Sequence, residues 1–222
     1  MNPLIEQEPV HEFQMKWWGW GAKNRKADLS HYPGIFPYMK KHFGIVVGPP
    51  ALPIPPLKLP PPALSQVAMA ALANSKILFT TSDEGRLTHA LGKSYRDLML
   101  LRTQALDKFP DIVLFPKNEQ EITTIFQWCL EYKLAAIPFG GGTSVVGGLD
   151  SLKTPGQAGI VSIDMCSMDK VLSVDMASMT VKAQGGIFGP QLEKLLAQQN
   201  LTLGHFPQSF EFSTLGGWVA TR

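Results

Sequence analysis

Residues 138–148 read Pro-Phe-Gly-Gly-Gly-Thr-Ser-Val-Val-Gly-Gly, a composition suited to holding a phosphate group by backbone amides. Five glycines in this window remove side chains, so the chain can take positive φ and turn successive N–H groups toward one point. Such a nest binds phosphate oxygens without Lys or Arg. The hydroxyls of Thr143 and Ser144 add two donors. Two common phosphate loops do not fit. A Walker loop requires GxxxxGK[ST], and no Lys follows these glycines. A Rossmann fingerprint requires GxGxxG opening a helix; counted from Gly140, the third glycine position holds Val145. On this window alone, a glycine-rich hairpin with no ligand remains the alternative.

The elements around the loop form a regular series. A short apolar strand at residues 112–115 ends at Pro116. Asn118 then caps a helix, accepting from the amide of Glu121 while Glu121 reaches back, a capping box. Ile122, Ile125, Phe126, Cys129 and Leu130 fall on one predicted helix face. Residues 135–137 form a second strand that enters the loop, and residues 160–163, 171–174 and 180–183 are further strands. A helix begins with Pro190 in its first turn, buries Leu192, Leu195 and Leu196, and stops near Asn200. Upstream, a helical pattern near residues 63–73 precedes a charged segment, residues 86–102. Strand, helix, strand and then a strand-rich stretch imply an α+β fold.

The series 111–122 and 136–144, with the loop Pro138, Phe139, Gly140, Gly141, Gly142, Thr143 and Ser144, resembles the start of the PCMH-type FAD-binding domain of the vanillyl-alcohol-oxidase family. A second stretch, His205-Phe206-Pro207-Gln208-Ser209-Phe210-Glu211-Phe212-Ser213-Thr214-Leu215-Gly216-Gly217-Trp218-Val219-Ala220-Thr221-Arg222, resembles the second flavin-contacting segment of alkyldihydroxyacetonephosphate-synthase-like flavoenzymes. Those enzymes usually have Asp-Ser where this chain has Gln208-Ser209. The runs Lys16-Trp17-Trp18-Gly19-Trp20-Gly21 and Gly92-Lys93-Ser94-Tyr95-Arg96-Asp97 are similar to the same group.

The resemblance implies FAD on the glycine loop, with Gln208, Ser209, Phe210, Glu211, Phe212, Ser213, Thr214, Thr221 and Arg222 as further cofactor contacts. It implies ether-lipid-type chemistry at flavin N5 on a small-molecule substrate, with a 2-hydroxy-acid dehydrogenase or oxidase, or an inactive remnant, as alternatives. The flavin is expected to be non-covalent, because the loop carries no His or Cys. The chain is expected to be the N-terminal half of the FAD domain, with weak FAD binding, if any, and no synthase or dehydrogenase activity on its own, and with catalytic residues beyond Arg222. A homodimer is the expectation for the full-length protein. Gly141→Val or Gly142→Val should abolish FAD binding with modest loss of fold, whereas Cys166→Ala should touch no site. His205 is expected to pack beside Phe206, and Trp218 to be core.

Residues 1–105, with a Pro-rich linker at 49–62, are expected to precede a partial FAD domain at 106–222. The proline tract from about residue 45 to 64 is apolar, but its missing amide donors exclude a membrane span. A formal charge of +2 and scattered basic residues, densest at Lys23, Arg25 and Lys26, argue against nucleic acid as a partner. Cys129 and Cys166 are too few for a disulfide framework or a metal site and read as structural. That usage and the lack of a secretory signal suit the cytoplasm.

Overall fold

The structure, a computed structural model, describes Pro9 and residues 13–25, 29–44 and 58–221. Its centre is a four-stranded sheet in the order β1 (Leu78–Thr80), β2 (Ile112–Phe115), β4 (Gly159–Asp164), β3 (Leu134–Phe139). β4 pairs in parallel with both β2 and β3, while β1 runs antiparallel on the β2 edge. β2 and β4 are buried along their whole length, which explains their nearly continuous apolar sequences. β1 therefore carries the sheet across the expected boundary between residues 105 and 106.

Seven helices accompany the sheet among the described residues: α1 (Ile35–Phe43), α2 (Gln66–Asn74), α3 (Asp83–Thr88), α4 (Tyr95–Arg102), α5 (Glu119–Glu131), α6 (Gly189–Ala197) and α7 (Leu215–Thr221). None is long and apolar enough to cross a membrane. α5 connects β2 to β3 and, with α2, covers one core cluster containing Ile112, Leu114, Val161 and Ile163. Trp128 fixes this contact by donating from Nε1 to Ala68 O at 2.9 Å.

That contact rotates α5 relative to the sequence expectation. Ile125, Trp128 and Cys129 are buried, whereas Phe126 and Leu130 are exposed. The large indole with a backbone partner turns the helix away from the simple apolar count. The capping box also differs. Asn118 accepts from Glu121 N as expected, but the Glu121 carboxylate takes Lys117 N–H and Asn118 Nδ2 instead of the Asn118 amide.

The charged stretch 86–102 lies within two short helices and their connection. Ser82 caps α3, and Ser94 with Asp97 forms a complete capping box on α4. Of the expected linker, residues 49–57 lie outside the described residues. Residues 58–62 are clamped: Arg86 donates to Pro60 O and Pro110 O, and Asp111 accepts from Ala63 N and Ile160 N. β5 (Val171–Asp175) and β6 (Thr180–Ala183) form a separate antiparallel ribbon, and α6 packs near it through Leu192 and Leu196.

Candidate functional site

β3 delivers Pro138 and Phe139 to the glycine loop, and Phe139 is buried while Pro138 is exposed. Only Gly142 among the three consecutive glycines has a positive φ, at 71°. Gly140 and Gly141 serve another purpose, close approach. A Cβ on Gly140 would lie 2.4 Å from Thr214 Oγ1, and one on Gly141 would lie 1.6 Å from Phe212 O. The first half of the loop is thus pressed onto the backbone of the second expected segment. The expectation that glycine serves this loop by freeing φ is corrected at Gly140 and Gly141, where it serves close approach.

The far segment is held from its other side as well. Phe188 and Thr214 form an isolated antiparallel bridge, and Leu215 N and Gly216 N donate to Ile187 O and Gly185 O. Phe210, Glu211 and Phe212 form one turn of 3₁₀-helix begun at Ser209. Ser213 Oγ accepts from Trp218 Nε1 at 2.6 Å, and Thr214 Oγ1 accepts from Gly217 N. Trp218 is half-buried and stacked on Phe210, and His205 meets it edge-on, so neither of the two residues adopts its expected place. Gln208 and Glu211 are exposed, and Thr221 sits exposed at the end of α7 with Oγ1 donating to Gly217 O. Arg222 lies outside the described residues.

From Gly141 to Val145 the loop's amides are unspent. None of the N–H groups of residues 141–145 donates to a protein acceptor among the described residues. Gly142 is buried, and Thr143 and Ser144 are half-buried. Val145 is exposed, but residues 141–144 are buried or half-buried, and backbone donors in such covered stretches normally have acceptors. A cleft opens against Gly140, Gly141 and Gly142, with Phe13, Met15 and Phe188 as apolar wall and Thr88, His89, Lys93, Asp164 and Cys166 as polar wall.

Sequence reasoning missed most of that polar wall. His89 Nδ1 donates to Gly85 O at 2.7 Å, since a carbonyl can only accept, and Nε2 lies 2.9 Å from Asp164 Oδ2. Its ring rests on Phe139 with centroids 4.2 Å apart, so the pair braces the strand end from which the loop springs. Burial pushes the Asp164 carboxyl up. The hydrogen bond and charge of His89, with the amide of Cys166, outweigh that and hold it below its ordinary value. Burial raises the Cys166 thiol well above its usual range, and Sγ donates to Gly140 O at 3.3 Å. Cys166 therefore touches the loop, contrary to expectation. One signal for Asp164 was present in the sequence: a carboxylate closing an otherwise apolar strand.

A FAD binding domain family model matches residues 110–222. The alkyldihydroxyacetonephosphate synthase of Caenorhabditis elegans is 35% identical across 94% of this chain and 38% of that protein. The enzyme of the same name from Dictyostelium discoideum is 46% identical across 61% of this chain and 22% of that protein. A solved structure of an alkyldihydroxyacetonephosphate synthase superposes with a TM-score of 0.83 at 35% identity, covering 94% of this chain and 43% of that one. The chain thus spans less than half the length of each of these relatives. Residues free of side chains, with unspent amides beside an apolar wall, fit a phosphate-bearing flavin dinucleotide, and the chain belongs to the FAD binding domain family.

Proposed function

We propose that this chain is the part of an alkyldihydroxyacetonephosphate-synthase-type flavoenzyme that seats the FAD diphosphate, with the flavin held non-covalently. The observation that carries the reading is the run of amides at residues 141–145 without a protein acceptor among the described residues. Bound FAD would supply N5 chemistry for an ether-lipid-forming reaction on a small phosphate ester. The chain's own residues bind and orient. The amides of 141–145 receive phosphate oxygens. Phe212, Ser213 and Thr214 hold Gly140 and Gly141 in place. The His89–Asp164 pair fixes Phe139 beneath the loop.

The same geometry supports the non-covalent reading. Among the described residues, the His and Cys lining the cleft beside the loop are His89 and Cys166. Both ring nitrogens of His89 are engaged, and the Cys166 thiol is buried and turned to Gly140 O. The purified holoprotein should show flavin absorbance, and acid precipitation should leave that flavin in the supernatant. Yellow colour retained by the pellet would refute non-covalent binding, and absence of any flavin affinity would refute the site.

A further inference from the structure

The cleft contains a second source of phosphate affinity, one that a backbone nest does not need. Lys93 lines it beside Gly140, Gly141 and Gly142 and is only 5% exposed. An ammonium carries three donors. Among the described residues, the sole hydrogen bond of Nζ is a long one, 3.4 Å to Trp17 O. No carboxylate there lies within ion-pair distance of it, although Asp97 on α4 acts on it at longer range. Burying a cation without a partner is costly, so the site calls for an anion.

The other charged groups facing the cleft do not answer that call. Asp164 Oδ2 is already engaged by His89 Nε2 at 2.9 Å. The remaining Asp164 oxygen accepts from Cys166 N. The Cys166 thiol stays protonated. Lys93 is therefore the one uncompensated charge on this wall among the described residues.

Its placement is fixed by the loop itself. Lys93 N donates to Ser144 O at 2.7 Å, and a Cβ on Gly92 would lie 2.1 Å from the same oxygen. Residues 92 and 93 and the glycine loop are thus one packed unit, and Lys93 lines the same cleft as Gly141 and Gly142, whose amides are unspent. We propose that Lys93 binds a phosphate group seated on the glycine loop. This rests on the FAD reading above and extends it: the loop acts with a lysine, and not by amides alone.

Burial pulls the Lys93 amine down to about 8, with Asp97 only partly opposing. A phosphate beside it raises that value again. Affinity for the phosphate ligand is therefore constant below about pH 8 and falls above it, by up to about tenfold per pH unit.

The test is titration of FAD, and separately of riboflavin, into the purified 222-residue chain carried to millimolar ligand, with flavin fluorescence as readout. Wild type, Lys93→Gln, Lys93→Arg and the exposed Lys117→Gln are compared, each with a thermal melt. Lys93→Gln should weaken FAD by about 10- to 100-fold, leave riboflavin unchanged, and abolish the pH step near 8. Lys93→Arg should keep most of the affinity without that step, and Lys117→Gln should match wild type. Dihydroxyacetone phosphate, added as a competitor, distinguishes the source of the phosphate. If Lys93→Gln keeps FAD but loses this ester, Lys93 is a phosphate site for a substrate and not for the dinucleotide. Equal FAD affinity in wild type and Lys93→Gln, with no change toward the ester, overturns the inference and leaves the FAD reading intact. Equal losses of riboflavin and FAD, or a folded Lys93→Arg with no affinity, also overturn it. A wild-type chain that binds no FAD overturns both.

Discussion

The two halves of the glycine loop share a composition and differ in what their glycines do. Gly140 and Gly141 have ordinary φ and no room: the backbone and side chain of residues 212–214 occupy the space where a Cβ would go. Gly147 and Gly148 are exposed, and any Cβ there would meet nothing closer than about 3.6 Å. The first half is a packing surface between two distant segments of chain, and the second is a turn. A count of glycines does not separate these cases. Replacing glycines one at a time does, because crowding is a property of the folded neighbour and not of the residue.

The largest effect is expected at Gly141→Ala. The added carbon would stand 1.6 Å from Phe212 O and 3.2 Å from Ser213 Cα, so the two segments must separate. Overpacking against backbone, which has no rotamer to yield, should cost about 3 kcal/mol or more. Urea unfolding measures it. This revises the expectation of modest fold loss for valine at this position: the stability defect should be at least as visible as the flavin defect. A variant with wild-type stability would mean that the two segments are not pressed together.

His89→Ala comes next and probes the floor of the packed half. It leaves the Asp164 carboxylate buried without its main partner, which should cost about 3–5 kcal/mol near neutral pH. The pH dependence gives a sharper readout. In wild type the Asp164 carboxyl is held below its ordinary value of 3.8. Its contribution is therefore fully present above the unfolded value and is lost as pH falls through the folded one. Without His89, burial dominates and raises the folded value above the unfolded one, so falling pH should now relieve the defect. The gap between the two proteins should narrow from pH 6 to pH 3; a constant gap would show that Asp164 does not depend on His89.

Cys166→Ala removes the thiol that donates to Gly140 O and should cost about 1 kcal/mol. Before any mutation, alkylation reports on the same contact. Burial pushes the Cys129 thiol up to about 12 and the Cys166 thiol well above its usual range. Neither should react with iodoacetamide at pH 8 in the folded chain, and both should react in urea. Rapid labelling of native Cys166 would place it outside the packed half.

These contrasts show how far residue pattern carries. Strands, the Asn118 cap and the Pro190 helix start are written in local periodicity and local capping chemistry, and they stand where that chemistry puts them. The rotation of α5 depends on Trp128 finding Ala68 O, sixty residues away, which no local period encodes. The loop was legible because glycine is rare in such density. The polar wall was not, because His89 and Lys93 come from one stretch of chain and Asp164 from another, 75 residues on from His89. They meet only when β4 ends beside α3 and the turn that follows it.

The smallest effect is expected at Gly148→Ala, and it matters because it sets the scale for the others. Gly148 has no positive φ, and its added carbon would meet only Ser144 Oγ, at 3.6 Å, an ordinary contact. No folded-state penalty follows. The unfolded chain loses some freedom when Gly becomes Ala, which favours folding by about 0.4–1 kcal/mol where the native backbone suits alanine. The variant should be as stable as wild type or slightly more so, with FAD affinity unchanged within about twofold. A clear loss of FAD affinity without loss of stability would show that ligand reaches residue 148. The nest would then extend past residues 141–145, and the division of the loop into a packed half and an open turn would fail.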